Sequence, residues 1–468
     1  MKRKRSFQIA GQAVLLLTLT NPPAQAQPAQ SAGPAQTTSQ SATKQAGQLA
    51  QANLSLTLAQ ATEMALKNNL ASTLSRERVA EAKGQKALSL AELLPCLQAS
   101  SFAGNQTANL AAMGFTAGVF PGIRPFLGPY SVFDARLRMT QTIFNLGSIW
   151  RFQAGRAGEA IATQQERFVA QQVATATALA YLRAAAAAET VASANANLQL
   201  AERLLELATH QRNAGLATGL DVARAETHVA DRQVQLAAAQ TEQDTARLEL
   251  LRLTGAPLAS ELTLAEPMRF EPVEAADARA AVLMAWVERS DLLAAEQQVR
   301  ATLAERKAAT AGYAPTLSFE GDYGVSGIKP NDLDLPTRSV AVSLNLPVFD
   351  GGRTRAAVRI AASVERQAKA QFADLKAAIE KDVRLAIDNL TTREAQMRAA
   401  QKTLALATRE LELAQDRFQN GVGDNIEVLN AQTALESARQ TLVVSLAQFH
   451  VARLNLASAT GRVQDFRL

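Results

Sequence analysis

The residues able to do chemistry are sparse in this chain and do not converge. Catalysis needs a nucleophile, a base or metal ligands brought to one pocket, whereas the Asp and Glu residues here are spread along helical patterns at solvent-facing positions. Cys96 is the single cysteine, so no intrachain disulfide forms, and it reads as a small apolar filler rather than a reactive thiol. His210, His228 and His450 have no ligand spacing and read as surface or packing residues. Gly421-Val422-Gly423 is not preceded by a strand, so it is no dinucleotide loop. No metal, cofactor, hydrolytic or redox step is expected. What remains is a pair of carboxylates, Asp424 and Glu427, beside a glycine-broken turn, GVGDNIEVLNA. Their chemistry is electrostatic: repeated around a tube, such groups attract cations and repel one another.

The elements that position this turn occur twice. RFQNGVGDNIEVLNAQT, residues 417–433, aligns without a gap to QRNAGLATGLDVARAET, residues 211–227. Gly215 matches Gly421 and Gly255 matches Gly461, both 206 residues apart, and IFNLG from Ile143 matches VFDGG from Val348. LLPCLQAS around Pro95 matches YAPTLSFE around Pro315. The chain therefore reads as a tandem duplication, residues 54–255 and 275–468, joined by 256–274. Each half runs short helix, strand, loop, strand, long helix, glycine turn, short helix. The long helices span about 146–213 and 353–419, each on the order of 100 Å. The short ones are predicted at 56–93 and 275–311, and a returning helix at about 425–460. Two short helices stacked end to end would line one long one.

The seams are legible as heptads. In the second long helix Val383, Leu390, Met397, Leu404, Leu411 and Phe418 recur every seventh residue, offset by Ala386, Arg393, Ala400, Ala407 and Ala414. The first repeats the order in Val191, Ala194, Leu198, Ala201, Leu205 and Ala208. Val428, Ala431, Leu435, Ala438, Leu442, Leu446 and Phe449 continue it on the returning helix. This spacing means coiled-coil packing, with bulky side chains filling gaps opposite alanine.

The strands alternate with period two. Phe133, Ala135, Leu137 and Met139 face away from Asp134, Arg136, Arg138 and Thr140. Leu317, Phe319, Gly321 and Tyr323, and likewise Val340, Val342, Leu344 and Leu346, alternate with polar neighbours. The first strand, 96–105, alternates less cleanly. A soluble sheet over a core also alternates, but the helices are committed to their own seams and no third apolar layer is visible. No apolar run beyond the N-terminal segment reaches the roughly 20 residues of a membrane helix. Strands of about 9 to 11 residues with one apolar and one polar face fit an outer-membrane barrel, and four strands cannot close one. Three copies would supply twelve strands and bring Asp424 and Glu427 of each copy together as an acidic ring.

The N-terminus fits an exported precursor. MKRKRSFQIAGQAVLLLTLTNPPAQAQ has a basic start, an apolar core at 13–20 and an Ala24-Gln25-Ala26 site, so residues 1–26 read as a signal peptide without a lipid-anchoring cysteine. Residues 27–53 are polar, low in complexity and expected to be flexible. The full chain holds 48 basic and 43 acidic side chains, a formal +5; loss of the four basic residues of the signal leaves +1, which gives no support for nucleic-acid binding.

With these residues in view, the chain resembles the TolC-like outer membrane efflux proteins. The likeness is carried by LSLTLAQATEMALKNNL, the LLP before the first strand, QTIFNLG, NLPVFDGGR, and the turns ending in DVARAE and EVLNAQ; it covers Leu54 to Gly461 in order. It implies a mainly α fold with membrane β: tandem-duplicated helical hairpins forming a periplasmic α-barrel, and four strands per chain in a trimeric 12-stranded transmembrane β-barrel. It implies a homotrimer docked to a periplasmic membrane-fusion adaptor and an inner-membrane pump. The adaptor contacts fall on the tips Gly215, Leu216, Ala217, Thr218 and Gly421, Val422, Gly423, Asp424. The two acidic constriction positions of the family fall on Glu427 and Asn430, the second an amide here, beside Asp424. Phe133, Leu137, Met139, Leu317, Phe319, Tyr323, Val340, Val342 and Leu344 would face outer-membrane lipid. Each tip glycine taken singly also reads as an ordinary helix break, and Glu427 as a solvated helix residue. The long loop 106–130 is expected outside the cell, and Trp150 and Trp286 as packing residues. The same tube would serve small-molecule efflux or, as the alternative, type I protein secretion; a structural coiled-coil envelope protein would need the heptads but not the strands.

Overall fold

Two helices of 68 and 67 residues dominate the molecule. The computed structural model describes residues 54–468 apart from 115–123, 125, 216, 274–276, 331–334, 421, 423 and 424. The expected signal segment 1–26 and the polar stretch 27–53 lie outside the described residues. The elements in chain order are β1 (Leu54–Leu56), α1 (Leu58–Asn68), α2 (Leu70–Ala91), β2 (Cys96–Asn109), β3 (Phe126–Phe144), α3 (Leu146–Asn213) and α4 (Gly219–Thr254). They continue with β4 (Leu262–Leu264), α5 (Ala278–Glu288), α6 (Ser290–Thr310), β5 (Thr316–Gly327), β6 (Leu335–Asn345), α7 (Arg353–Gln419) and α8 (Asn425–Ala459). No described helix is long and apolar enough to cross a membrane.

Both rods begin where polar side chains cap them. The Asn145 carboxamide accepts from Ser148 N at 3.2 Å at the start of α3. The Asp350 carboxylate accepts from Gly352 N at 3.0 Å and Thr354 N at 2.7 Å ahead of α7, satisfying donors that a helix end leaves free. Downward from there the heptad positions are buried as their spacing requires: Val383, Ala386, Leu390, Met397, Ala400, Ala407, Leu411, Ala414 and Phe418 on α7, and Val428, Ala431, Leu435 and Ala438 on α8. Each large side chain so covered contributes roughly 1.5–3 kcal/mol. Arg393, the one long polar residue in the series, turns outward and donates to Gln448 Oε1 at 2.6 Å.

The short helices stack as their lengths suggested, but each predicted upper helix is two. The 56–93 pattern breaks at Asn69 and the 275–311 pattern at Arg289, both extended, with ψ 136° and 114°. Asn69 accepts from Ala71 N at 2.9 Å, restarting the helix, while Asn68 Nδ2 donates to Thr254 O at 3.0 Å, pinning the break to the end of α4. Arg289 holds Asp291 with two bonds, of 3.0 and 2.6 Å. A periodic apolar pattern runs through such breaks unmarked, because partners remote in sequence or side-chain forks create them. Trp286 packs beside Val282, Ala285, Ile379 and Val383, with Lys376 Nζ 4.0 Å above its ring; Trp150 likewise lies under Lys307, 4.2 Å away.

At mid-height the rods are wrapped by a belt. β1 and β4 pair in parallel, Leu54 opposite Leu262, and the fully buried Tyr181 of α3 donates its hydroxyl to Leu56 O at 3.1 Å and accepts from Glu266 N at 3.3 Å. His450 of α8 is also fully buried in this belt. Burial, and then the charge of Arg453, depress its pKa from 6.5 to about 4. Unfolded chains take up a proton near pH 6.5 and the folded belt resists it to about pH 4, so stability is lost as pH falls through that window, roughly 3 kcal/mol per chain. Thermal unfolding between pH 7 and 4 is expected to show this acid slope, and His450→Gln to remove it; equal slopes would refute the assignment.

The other sheet has four strands in the order β2-β3-β5-β6, all antiparallel. Three of its strands run longer than expected, at 14, 19 and 12 residues, while β6 has the expected 11. The supposed loop 106–130 is partly hairpin: Gln106 pairs with Tyr130, Ala108 with Leu127 and Asn109 with Phe126, leaving 110–125 as connection. Gln106 Nε2 donates to the Tyr130 hydroxyl at 3.0 Å, a cross-strand bond that local propensity does not announce. Register puts Met139 beside Gly321 and Val340, Leu137 beside Tyr323, Phe319 beside Val342, and Leu317 beside Leu344, all on one face with Phe133. The opposite face carries Asp134, Arg136, Arg138, Glu320 and Asp322; Arg136 pairs with Asp134 and, at 3.2 Å, with Asp322. Cys96 belongs to this polar face, opposite Thr140, and is exposed rather than a core filler, because strand alternation sets it in line with Gln98 and Ser100.

Candidate functional site

Far from the sheet, α3 turns into α4 and α7 into α8 at the two tips. At the first, Gly215 has φ 75° and its N–H donates to Arg212 O at 3.0 Å, a left-handed backbone that side chains other than glycine adopt at a cost. Thr218 and Asp221 then form a reciprocal cap: Asp221 N donates to Thr218 Oγ1 at 3.3 Å, and Thr218 N to Asp221 Oδ2 at 2.9 Å. Ala217 and Thr218 stand at this turn, Thr218 exposed. At the second tip Asn420 N donates to Asp416 O at 3.1 Å and Val422 N to Arg417 O at 3.0 Å, closing the reversal with Val422 71% exposed. Leu216, Gly421, Gly423 and Asp424 lie outside the described residues.

Glu427 occupies the first turn of α8. Its carboxylate does not stand alone: Arg417 Nε of the same hairpin lies 3.2 Å from Glu427 Oε2. Asn430, one turn on, is exposed. Glu427 thus meets a guanidinium ten residues away across the turn, which a reading of one helix does not show.

Above the tips the two hairpins share a core. Leu200, Leu204 and Leu207 of α3 pack on Leu411, Phe418, Val428 and Leu435. Higher still lies a polar cluster that the heptads gave no sign of. Arg232 Nη1 of α4 and Glu436 Oε2 of α8 are 2.6 Å apart, with side chains only 13% and 6% exposed. Gln432 Nε2 donates to Glu436 Oε1 at 3.3 Å, and Arg439 Nη1 to Asn197 Oδ1 at 2.6 Å. Burial pushes the Glu436 carboxyl up despite the arginine beside it. Glu436 lies 11 residues beyond Asn425, the start of α8, roughly 16 Å along the helix. The only sequence signal was polar Gln432 and Glu436 beside the seam residues Ala431 and Leu435. Among the described residues no group of three or more His, Cys, Asp or Glu side chains is placed to hold a metal ion.

A family model described as outer membrane efflux protein matches residues 61–256 and 282–462. The chain is 26% identical over 362 residues to the alkaline protease secretion protein AprF of Pseudomonas aeruginosa, covering 76% of this chain and 74% of that one. It is 24% identical over 348 residues to the outer membrane protein TolC of Escherichia coli, covering 71% and 70%. Its fold is similar to the crystal structure of the Campylobacter jejuni CmeC outer membrane channel, with TM-score 0.75 at 16% identity over 86% of this chain and 85% of that one. With the family model matched through both hairpins and their strands, the chain belongs to the outer membrane efflux protein family.

Proposed function

We propose that the chain is the outer-membrane exit duct of a tripartite export system, through which substrates delivered by an inner-membrane pump and a periplasmic adaptor pass passively. The observation that carries this is the four-stranded sheet, apolar on one face and charged on the other, standing on rods, with the outer edges of β2 and β6 meeting no strand among the described residues. In lipid an open edge is untenable, so further copies must complete the barrel. Two copies give eight strands, whose interior side chains fill; three give twelve and leave a lumen. The homotrimer is therefore the assembly we favour, with Phe133, Leu137, Tyr323, Val340, Val342 and Leu344 toward lipid and Arg136 toward water. The protein resides in the outer membrane with a long periplasmic helical extension.

The tips, Gly215 to Thr218 and Gly421 to Asp424, are proposed as the adaptor-docking end, and Asp424, Glu427 and Asn430 as the lining of its constriction. The exposure of Val422 at one tip, and the capped reversal at Gly215 at the other, support this docking surface. A second reading, the duct of a type I protein secretion system, is favoured by the likeness to AprF, named for alkaline protease secretion.

The test is single-channel conductance of the purified protein in planar bilayers, with its oligomeric mass measured in the same detergent. Small, cation-selective openings from a trimer are expected; a monomer that never conducts would sink the proposal. Arg417→Gln uncovers Glu427, so cation-over-anion permeability is expected to rise several-fold, and Glu427→Gln to lower it. Selectivity unchanged in both would remove Glu427 from the constriction.

A further inference from the structure

Arg453 stands in the mid-height belt without an ionic partner. Its guanidinium is half-buried, 5.7 Å from the Phe466 ring centroid and 6.0 Å from that of Phe449, and Nη1 lies 3.4 Å from His450 Nδ1. Among the described residues no carboxylate reaches it within ion-pair distance, and Glu271 acts only at longer range. A guanidinium stays charged in any protein environment, and removing an unpaired charge from water is costly. The aromatic faces offset part of that cost but accept none of its N–H donors in the planar fork that suits a carboxylate.

Arg453 lines an open cleft of about 510 Å³, within the size range of small-molecule sites. Its apolar wall is formed by Met284 of α5, Leu390 of α7, Leu456 of α8 and Phe466, and charged residues stand at its rim. The other charges at its rim are already engaged. Arg462 Nε lies 3.5 Å from Asp465 Oδ2. Arg467 Nη1 donates to the Gln464 and Phe466 carbonyls at 3.0 and 2.8 Å, and Asp277 caps α5 by accepting from Arg279 N at 3.0 Å. A guanidinium bonded to the His450 ring through Nη1 but lacking a carboxylate partner among the described residues, beside apolar side chains, is complementary to an amphipathic anion.

We propose that this cavity binds a short acyl carboxylate, with Arg453 holding the carboxylate in its fork and Met284, Leu390 and Leu456 enclosing the chain. Such a ligand joins α5, α7, α8 and the C-terminal segment at the height of the belt, so its binding stiffens the duct at its middle. The site is separate from the tips and does not depend on what the duct carries.

The experiment is calorimetric titration of sodium octanoate into the full-length protein held in an amphipol, with octylammonium as the opposite-charge control. Saturable octanoate binding near one site per chain is expected, weakened at least tenfold in Arg453→Met, with no comparable octylammonium binding. Met284→Trp fills the cavity while leaving Arg453 in place, so it keeps the test decisive if Arg453→Met does not fold; it too should lose octanoate. Absence of saturable binding by the wild type, equal binding by both variants, or equal uptake of octylammonium overturns the proposal. Loss of the oligomer in Arg453→Met, with no octanoate binding to the wild type, would assign the guanidinium to a contact between copies and likewise overturns it.

Discussion

Gly324→Val is expected to abolish assembly of the membrane sheet. Gly324 is buried on β5 opposite Arg136 of β3 and Thr337 of β6. A Cβ there would stand 2.3 Å from Ala135 O, 2.5 Å from Arg136 Cβ and 2.6 Å from Arg136 Cα. These obstacles are backbone or fixed to it, so no rotamer change relieves them and the strands must part. The Arg136 side chain runs past this position to its partners Asp134 and Asp322 on the same face, which is why the space is occupied. Overpacking costs about 1–3 kcal/mol even where side chains can shift, and about 3 kcal/mol is already more than a hundredfold in an equilibrium. Slipping the register by one residue is no escape, since it turns every apolar residue to the polar face. Oligomer in outer-membrane fractions, read on semi-native gels, should fall more than tenfold. Gly321→Ala is the control, because a Cβ there meets the ring of Phe319 at 3.3 Å and Ser339 O at an ordinary 3.9 Å. Wild-type oligomer from Gly324→Val would refute the packing argument.

Removing Arg232 alone should be the most damaging change in the periplasmic half. It leaves Glu436, 6% exposed, as a buried carboxylate without its cation, a loss of about 3–5 kcal/mol by analogy with other broken buried pairs. The double change Arg232→Met with Glu436→Leu removes both charges and should recover most of it, because the pair's attraction largely offsets its own desolvation. The pH dependence has a definite sign. Burial raises the Glu436 carboxyl, so its neutral form is favoured in the folded state and stability is lost as pH rises through the folded value. Without Arg232 the upward push is larger, and the deficit of Arg232→Met should widen from pH 5 to pH 8. Thermal unfolding at those two pH values, with hydrogen exchange of α4 and α8, measures it. Equal cost for single and double variants, or no change with pH, would show that the pair does not join the hairpins as described.

Much of this architecture is written in local periodicity. Val383 through Phe418 at seven-residue spacing, with alanines between, specify a close-packed seam whatever lies around them, and the ends of α3 and α7 fell at Leu146, Asn213, Arg353 and Gln419 as read from the chain. Alternation in 133–140, 316–323 and 340–346 specified a two-faced sheet for the same reason: side-chain direction in a strand is a property of neighbouring residues. Strand ends were less legible, because Gln106 to Asn109 and Phe126 to Tyr130 pair through cross-strand bonds rather than through their own propensity.

The candidate site was half legible. Matching the two turns located both tips and placed Glu427 at the start of a returning helix, but the partner of that carboxylate, Arg417, lies across the reversal and only the closed hairpin brings it within 3.2 Å. Arg232 and Glu436 are 204 residues apart, and nothing in either helix alone marks them as a pair. The breaks at Asn69 and Arg289 and the parallel pairing of β1 with β4 belong to the same class. By itself the sequence determined the duplication, the rods, the seams and the two faces of the sheet, because each rests on spacing within one element. Tertiary structure alone decided which charges are buried, which are neutralised and where helices break, because those depend on atoms that meet only once distant elements have packed.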